Sequence, residues 1–212
     1  NCDYCDTDFS ATEQCKVERT PGAGDIELMP NPVALESVVE LIQSWQAIAP
    51  QAHHSISLTG GEPLLHADTL SHWLPELRQL LPIYLETSGT LPAQLELLLP
   101  HIDWVSMDIK LPSLTGVATD WQAQQKFLQL AVRTGCYVKV VVAEATPEEE
   151  LLQAVDLVAS VDSKIPLVLQ PVTVAEKVGV STARLLQFQA LVSARHSNVL
   201  VIPQTHRYLG VL

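Results

Sequence analysis

The feature that most constrains the fold of this chain is a regular alternation of short apolar runs with segments of helical spacing. The apolar runs are rich in β-branched residues, which favours β-strands, and each is followed by polar or glycine-containing residues. The predicted strands cover residues 55–58, 83–87, 104–109, 137–142, 166–170 and 198–202. Strand–helix alternation of this kind predicts an α/β fold in which helices cover a parallel sheet.

The predicted helices fill the intervals between these strands. They begin at Asn31-Pro32 and then cover about 68–81, 92–99, 119–134, 146–160 and 181–195. Asn31 is a suitable N-cap before a proline at the first helical position, and Thr146-Pro147-Glu148-Glu149 has the spacing of a capping box. Residues 8–31 show no periodicity and are predicted as a loop. Because the alternation continues almost to the last residue, we expect one domain over residues 1–212.

The composition narrows the possible partners. The chain carries a net charge of -12 and has a pI near 4.8, so its surface should repel phosphate backbones, which argues against nucleic acid as a partner. No basic run suggests a membrane surface, and no apolar stretch reaches the roughly 18 residues of a membrane span. No signal-peptide pattern is present, so we expect a cytoplasmic protein.

The cysteines indicate a metal or redox site close to the first residue. Cys2 and Cys5 form a Cys-x-x-Cys pair, which suits zinc, an iron–sulfur cluster or a dithiol. Zinc would need a second pair of soft ligands, and the sequence contains no second Cys-x-x-Cys and no His-x-x-x-His. Cys15 does not fit the spacing and is interpreted as a loop thiol.

The polar motifs all follow predicted strands. The first is Thr59-Gly60-Gly61-Glu62-Pro63, in which two glycines permit unusual dihedral angles and a close backbone approach to a ligand. The others are Glu86-Thr87-Ser88-Gly89-Thr90, Asp108-Ile109-Lys110, Gln170 and Pro203-Gln204-Thr205-His206. Ligands of parallel sheets bind at the carboxyl ends of the strands, so these motifs should converge on one rim.

Two of these features together resemble the radical S-adenosylmethionine superfamily. That superfamily has a Cys-x-x-x-Cys-x-x-Cys loop with an aromatic residue before the last cysteine, then a strand ending in Gly-Gly-Glu-Pro; Tyr4-Cys5 and Gly60-Gly61-Glu62-Pro63 match it. The resemblance implies a partial (β/α)6 barrel and a [4Fe–4S] cluster held by three cysteines. S-adenosylmethionine would bind the open fourth iron, and one electron would cleave it to a 5′-deoxyadenosyl radical.

The resemblance assigns the last two cluster cysteines to Cys2 and Cys5. The first cluster cysteine and the first barrel strand would precede Asn1, because the family spacing places that cysteine four residues before Cys2. We therefore expect the chain to be an N-terminally truncated fragment that holds a cluster poorly by itself.

Within the superfamily, the chain resembles the family of 7-carboxy-7-deazaguanine synthases. The order of Cys5-Asp6-Thr7, the Glu86–Thr90 motif, Ser106, Gln170-Pro171 and Pro203–His206 carries this resemblance. The family converts 6-carboxy-5,6,7,8-tetrahydropterin into 7-carboxy-7-deazaguanine with loss of ammonia, on the route to queuosine. The resemblance implies magnesium, a homodimer and an electron donor such as flavodoxin or ferredoxin.

The resemblance also assigns roles to individual residues. The residues implied for S-adenosylmethionine are Gly60, Gly61, Glu62, Ser88, Ser106 and Lys110. The hydroxyl of Thr7 is implied as a magnesium ligand, in keeping with the preference of that ion for oxygen. The residues implied for the flat, polar edge of the pterin are Glu86, Thr90, Gln170 and His206.

One departure keeps other functions open. The chain has Met107-Asp108-Ile109-Lys110 where many members of that family have Ser-Pro-Lys, and an Asp-x-Lys at a strand end also resembles glycyl-radical-enzyme activases. An activase would act on a partner protein. A third hypothesis is a non-catalytic relative that lacks the first cysteine and serves as a binding protein. The spacing leaves open whether Lys139 faces the barrel interior or the solvent.

Overall fold

The structure is a computed structural model, and it describes residues 12–175 and 177–205. The predicted site residues Cys2, Cys5, Thr7 and His206 lie outside the described residues. The strands are β1 (Gln14–Glu18), β2 (Ile26–Pro30), β3 (Ile56–Leu58), β4 (Ile83–Thr87), β5 (Trp104–Ile109), β6 (Gly135–Val142), β7 (Leu167–Pro171), β8 (Thr173–Val174), β9 (Lys177–Val178) and β10 (Val199–Val201). The helices are α1 (Leu35–Ile48), α2 (Ala67–Leu80), α3 (Pro92–Leu98), α4 (Pro112–Thr115), α5 (Trp121–Ala131), α6 (Glu148–Val161) and α7 (Thr182–Ser193), with 3-10 turns at Pro63–His66 and Leu99–His101.

Six of the strands form one parallel sheet, which confirms the predicted α/β fold. Its order is β10-β7-β6-β5-β4-β3, so neighbouring strands in the sheet follow one another in the chain. Right-handed crossovers between successive neighbours place every connecting helix on the same face of a sheet. This winding is that of a (β/α) barrel, here with six strands and open between β10 and β3.

The two faces of the sheet differ in chemistry because side chains alternate along each strand. On the helix-covered face, Leu85, Met107 and Val140 are fully buried and belong to a core shared with the helices. The opposite face, here called the inner face, carries polar residues in alternating positions. Its members include Tyr84, Glu86, Ser106, Asp108, Tyr137, Lys139 and Gln170. A polar face toward the interior of a partial barrel is suited to holding a polar ligand.

The prediction of a loop over residues 8–31 is wrong for its described part. Residues 14–30 form an antiparallel hairpin of β1 and β2, with Cys15 in its first strand. Arg19 pairs with Glu27 across the hairpin, and most of its side chains are exposed. Because the hairpin is held by backbone pairing and surface polar contacts, it leaves no apolar periodicity for sequence analysis to detect.

Two predicted helix starts are also wrong. Asn31 is not an N-cap: its amide donates to the Thr12 carbonyl at 3.0 Å, and α1 begins at Leu35 after Ala34. The capping box at Thr146 does not form, because its hydroxyl accepts from the Ala143 N–H at 2.8 Å instead. In both places the polar side chain bonds to backbone outside the helix and does not cap the helix end. None of the helices in the described ranges has the length and apolar character needed to cross a lipid bilayer.

Candidate active site

The turn after β3 presents open backbone at the carboxyl edge of the sheet. Gly60 and Gly61 both adopt left-handed conformations, with φ of 82° and 50°, which side chains of L-residues adopt only with strain. A Cβ atom built on Gly60 would meet nothing within 4 Å. The backbone here is therefore shaped by the glycines but is not covered by neighbouring side chains, which leaves space for a ligand.

The carboxylate of Glu62 is fully engaged inside the protein. Its Oε1 accepts from the Thr87 hydroxyl at 2.8 Å and from the Leu64 N–H at 3.2 Å. Its Oε2 accepts from the Ser88 N–H at 2.9 Å and from the Ser88 hydroxyl at 2.6 Å. A carboxylate offers about four lone-pair sites, so these bonds occupy it. Glu62 thus ties the turn after β3 to the turn after β4 and begins the 3-10 turn as its N-cap.

The turn after β4 is held from both sides. Its Ser88 hydroxyl lies 3.0 Å from the Thr90 hydroxyl, and the Ser88 carbonyl accepts from the amide of Gln124 on α5 at 3.4 Å. Gly89 has φ of 69°, and a Cβ atom there would lie 2.6 Å from the Met107 side chain. The glycine is therefore required both by its backbone conformation and by close packing on β5.

Three neighbouring strands place hydroxyl groups on the inner face. Tyr84 and Tyr137 are hydrogen-bonded through their hydroxyls, and Ser106 lies on β5 between their two strands. Burial and the bond to Tyr137 raise the pKa of the Tyr84 phenol above its ordinary value, while a bond to Ser106 opposes the rise. The Tyr84 phenol therefore stays protonated at neutral pH, and its hydrogen bond joins β4 to β6 on the inner face.

A charged cluster lies nearer the strand ends of the inner face. Asp108 of β5 is 9% exposed, and its Oδ2 lies 2.5 Å from the Lys110 ammonium and 3.6 Å from that of Lys139. Lys139 sits beside Asp108 on β6, so it faces the interior and not the solvent. Two ammonium groups therefore flank one carboxylate at this point of the inner face.

The structure brings the sequence-predicted residues together in two groups. Glu62, Ser88 and Thr90 join in one hydrogen-bonded network, beside Gly60 and Gly61. Ser106 and Glu86 are paired neighbours on the inner face, and Gln170 lies at the end of β7 opposite Val141. Lys110 follows β5 and contacts Asp108. No group of three potential metal-binding side chains occurs within residues 12–175 and 177–205.

The sequence does not single out three residues of this region: Tyr84, Tyr137 and Gln124 stand in no motif. For Lys139 the sequence leaves open only whether the side chain faces the barrel interior or the solvent. The alternation of residues along β6 could have identified two of these side chains. Tyr137 and Lys139 alternate with apolar valines, which is the pattern of a strand with one polar and one apolar face. No comparable signal existed for Gln124, whose 1% exposure depends on how α5 packs.

Comparisons with known proteins define the class of this chain. Residues 1–161 match the family model described as the Radical SAM superfamily. Among solved structures, one titled "Structure of TYW1 with a lysine-pyruvate adduct bound" has a TM-score of 0.54 at 13% identity, over 82% of this chain and 66% of that chain. A crystal structure of archaeal TYW1 has a TM-score of 0.53 at 13% identity, over 80% and 66%. The chain thus spans just under two thirds of these structures, and at this identity they support the fold alone.

Curated relatives narrow the class to one family. A 7-carboxy-7-deazaguanine synthase of Geobacter sulfurreducens is 44% identical over all of this chain and 85% of its own length. Relatives with the same name from Methanothermobacter thermautotrophicus and Thermococcus kodakarensis are each 32% identical, again over all of this chain and 85% of theirs. The chain belongs to the radical SAM superfamily and, within it, to the family of the 7-carboxy-7-deazaguanine synthases.

Membership in the superfamily implies a [4Fe–4S] cluster and S-adenosylmethionine. The described residues fit the second of these, because the left-handed Gly60-Gly61 turn leaves its backbone accessible, and a Cβ atom at Gly60 would project into open space. The turn also lies at the carboxyl edge of the sheet, where such folds bind ligands. Cys2 and Cys5, the expected cluster ligands, lie outside the described residues.

Proposed function

We propose that this protein is a ring-contracting lyase that converts 6-carboxy-5,6,7,8-tetrahydropterin to 7-carboxy-7-deazaguanine with loss of ammonia, in the biosynthesis of queuosine and related deazapurines. The observation that carries the proposal is the polar inner face beside the Gly60–Glu62 turn, in a chain 44% identical to a protein of that name. A small polar heterocycle needs such fixed hydrogen-bonding groups, whereas the large protein substrate of an activase would need an open docking surface.

The cofactor would bind along the first strand-end turns. Gly60 and Gly61 would meet its methionine end through backbone groups, and Glu62 would hold the two turns in register. The Ser88 hydroxyl already donates its hydrogen to Glu62, so it would act toward the cofactor as an acceptor, suited to an ammonium or a ribose hydroxyl. Ser106 and Lys110 would complete this site. When bound, the cluster and S-adenosylmethionine supply one-electron, hydrogen-abstracting chemistry.

The substrate would lie against the inner face. Glu86 would accept from the amino and ring N–H groups of the pterin, and Gln170 would both donate to and accept from its amide edge. Thr90 would contact the same ring, and His206, outside the described residues, would close the site from the C-terminal side. Fixed polar groups reject near-analogues because an unmatched buried polar group costs about 1–3 kcal/mol.

The test is anaerobic turnover by the cluster-loaded protein. We expect incubation with carboxypterin, S-adenosylmethionine, Mg²⁺ and a reductant to yield 7-carboxy-7-deazaguanine, ammonia and 5′-deoxyadenosine, detected by mass spectrometry. Glu86→Ala and Gln170→Ala should lose turnover while retaining cofactor binding. Cofactor cleavage without any conversion of the carboxypterin would overturn the proposal. Together with the Asp108-x-Lys110 motif, that result would favour the activase hypothesis.

The proposal includes four further elements that rest on the family resemblance. Mg²⁺ would bind with the Thr7 hydroxyl and substrate oxygens, and thorough chelation should slow turnover. Cys2 and Cys5 would hold the cluster with a third cysteine, so Cys5→Ala should abolish 5′-deoxyadenosine formation. A flavodoxin or ferredoxin would supply the electron, which reconstitution with either donor would test. The protein would act as a cytoplasmic homodimer, for which light scattering would give twice the protomer mass.

A further inference from the structure

Tyr84 and Tyr137 are polar groups of the inner face for which the proposed function provides no role. Their hydroxyls are hydrogen-bonded to each other, so the contact runs from β4 to β6 across the intervening strand β5. The two ring centroids lie 6.5 Å apart, with the ring planes inclined by 38°. Both side chains are only partly buried, which leaves the pair within reach of a ligand on this face.

The two phenols carry two hydrogens but share one hydrogen bond, so one hydrogen is left to be donated outside the pair. The neighbouring Ser106 hydroxyl indicates which one it is. The bond to Ser106 lowers the pKa of the Tyr84 phenol and the bond to Tyr137 raises it, as expected when Tyr84 accepts from Ser106 and donates to Tyr137. The hydrogen left over is then that of Tyr137, and among the described residues no group besides Tyr84 bonds to the Tyr137 hydroxyl.

The register of the sheet places an acceptor next to this donor. Glu86, Ser106 and Tyr137 are paired in one row across β4, β5 and β6, and neighbouring strands lie about 5 Å apart. Because the Tyr137 hydroxyl reaches that of Tyr84, it leans across β5 toward the strand that carries Glu86. Within the described ranges the Glu86 carboxylate has no hydrogen-bond partner. An unpaired donor and an unpaired acceptor thus face the same space, which suits a ligand with an oxo group beside an N–H, as in a cyclic amide.

We propose that the Tyr137 hydroxyl donates a hydrogen bond to the ring oxo group of the substrate, beside the ring N–H that Glu86 accepts. This inference rests on the proposed function, because the pyrimidinone ring of 6-carboxy-5,6,7,8-tetrahydropterin carries an oxo group next to a ring N–H. The oxo oxygen has two lone pairs, so it can accept from Tyr137 together with a second donor. Tyr84 orients the Tyr137 hydroxyl and is a positioning residue. Tyr137 is thereby a specificity-determining residue, since a ligand without the oxo group leaves its hydroxyl unpaired.

The experiment compares two substitutions that break the same internal hydrogen bond. Tyr137→Phe and Tyr84→Phe each remove one hydroxyl of the pair, but only Tyr137→Phe removes the hydrogen directed at the ligand. Tyr84→Phe is therefore the matched control, and thermal unfolding checks that both variants are folded. Dissociation constants are measured by anaerobic calorimetry on the cluster-loaded protein with S-adenosylmethionine and without reductant. The two ligands are 6-carboxytetrahydropterin and its analogue with hydrogen in place of the ring oxo group.

We expect Tyr137→Phe to weaken carboxypterin binding at least about fivefold, and Tyr84→Phe less than about twofold. The wild-type preference for the oxo ligand over its analogue should fall at least about threefold in Tyr137→Phe and persist in Tyr84→Phe, because the oxo group and the Tyr137 hydroxyl form one pair. Equal loss of carboxypterin affinity in the two variants, or an unchanged preference in Tyr137→Phe, would overturn the assignment.

Two further measurements separate this inference from its alternatives. S-adenosylmethionine, titrated alone, should bind both variants as it binds wild type. A fivefold loss of its affinity in Tyr137→Phe would assign the hydroxyl to the cofactor and overturn the proposal. Failure of wild type to bind the carboxypterin would overturn the proposed function and this inference together, whereas wild-type binding that does not depend on Tyr137 would overturn this inference alone.

Discussion

Ser88 donates two hydrogen bonds to the same oxygen of Glu62, one from its backbone N–H at 2.9 Å and one from its hydroxyl at 2.6 Å. Strands β3 and β4 are adjacent, so this contact fixes the relative position of the two turns at their carboxyl ends. The turns carry the glycine backbone and the hydroxyls assigned to the cofactor. The Glu62 carboxylate is therefore a positioning group, and the exposed backbone of Gly60 and Gly61 is what it positions.

Glu62→Gln should destabilise the protein and weaken cofactor binding together. Both carboxylate oxygens of Glu62 accept hydrogen bonds, whereas the amide NH2 group of glutamine can only donate. At least one bond from Thr87 or Ser88 is therefore lost, which should lower the free energy of unfolding by about 1–3 kcal/mol. Urea denaturation and calorimetry with S-adenosylmethionine measure the two effects. Glu96→Gln, on the exposed surface of α3, is the control and should change neither. Wild-type stability in Glu62→Gln would contradict the assigned role of this network.

Gly89→Ala should lower the free energy of unfolding more than Gly116→Ala. The two glycines have nearly equal φ angles, 69° and 67°, so the conformational penalty of about 1–2 kcal/mol is shared. Only at Gly89 would the new Cβ atom meet the Met107 side chain, at 2.6 Å. We expect a further 1–3 kcal/mol there, about the usual cost of overpacking. In a Met107→Ala background the two glycine substitutions should become equal, which denaturation of the four variants would show.

The sheet could be predicted from sequence because burial leaves a strong signal. Runs such as Val140 to Val142 are apolar where they enter the core, and the six sheet strands were each located to within a residue or two. The hairpin of β1 and β2 and the hairpin of β8 and β9 were missed for the opposite reason. Their exposed side chains, including Ile26 and Val174, carry no periodicity that distinguishes a strand from a loop.

The site could be predicted only where strand ends carried recognisable motifs. Glu62 and Ser88 belong to such motifs, but their bond joins positions 26 residues apart in the chain. The orientation of Lys139 depended on which face of the sheet the helices cover. That is a property of the crossovers between strands and not of any short segment. The contact with Asp108 became visible only through the register of β5 and β6.

The ion pair of Asp103 and Arg78 should make stability dependent on pH at the acid end. Hydrogen bonds from Arg78 hold the pKa of Asp103 below its ordinary value, and its carboxylate also accepts from the Ile83 N–H at 2.9 Å. A depressed pKa stabilises the folded state above the unfolded pKa of about 3.9, and this contribution is lost as the pH falls through the folded value.

Asp103→Asn should therefore lower the unfolding free energy at pH 7 by at least about 1 kcal/mol. The difference from wild type should shrink as the pH falls below about 4, because wild-type Asp103 then loses its charge too. Denaturation curves across this range give the result. Asp156→Asn disrupts the exposed pair with Arg195 and should have little effect at any pH. A difference at Asp103 that grows toward acid would contradict the argument.

The thiol of Cys136 should be nearly inert at physiological pH. Burial raises its pKa to about 11, so about one molecule in a thousand carries the thiolate at pH 8. Alkylation of Cys136 by iodoacetamide, followed by mass spectrometry of its peptide, should be slow at pH 8. The rate should rise about tenfold per pH unit below the pKa. The same peptide in denaturant serves as the control and should react far faster; equal rates in both states would refute the prediction.

Gln124 offers a test that separates function from stability. Its side-chain carbonyl is buried without a partner among the described residues, and its amide makes one bond of 3.4 Å, to the Ser88 carbonyl. Gln124→Met should thus leave the unfolding free energy within about 1 kcal/mol of wild type, since it removes an unsatisfied polar atom along with the bond.

In Gln124→Met the turn that contains Ser88 would lose its hydrogen bond from α5. If this bond contributes about 0.5–1 kcal/mol to holding the turn in its binding position, the dissociation constant for S-adenosylmethionine should rise at least about threefold. Gln129→Met, exposed on the same helix, should alter neither quantity. A variant of unchanged stability and weakened cofactor binding would identify Gln124 as a positioning residue. Unchanged affinity in Gln124→Met would show that Glu62 alone suffices to hold the turn.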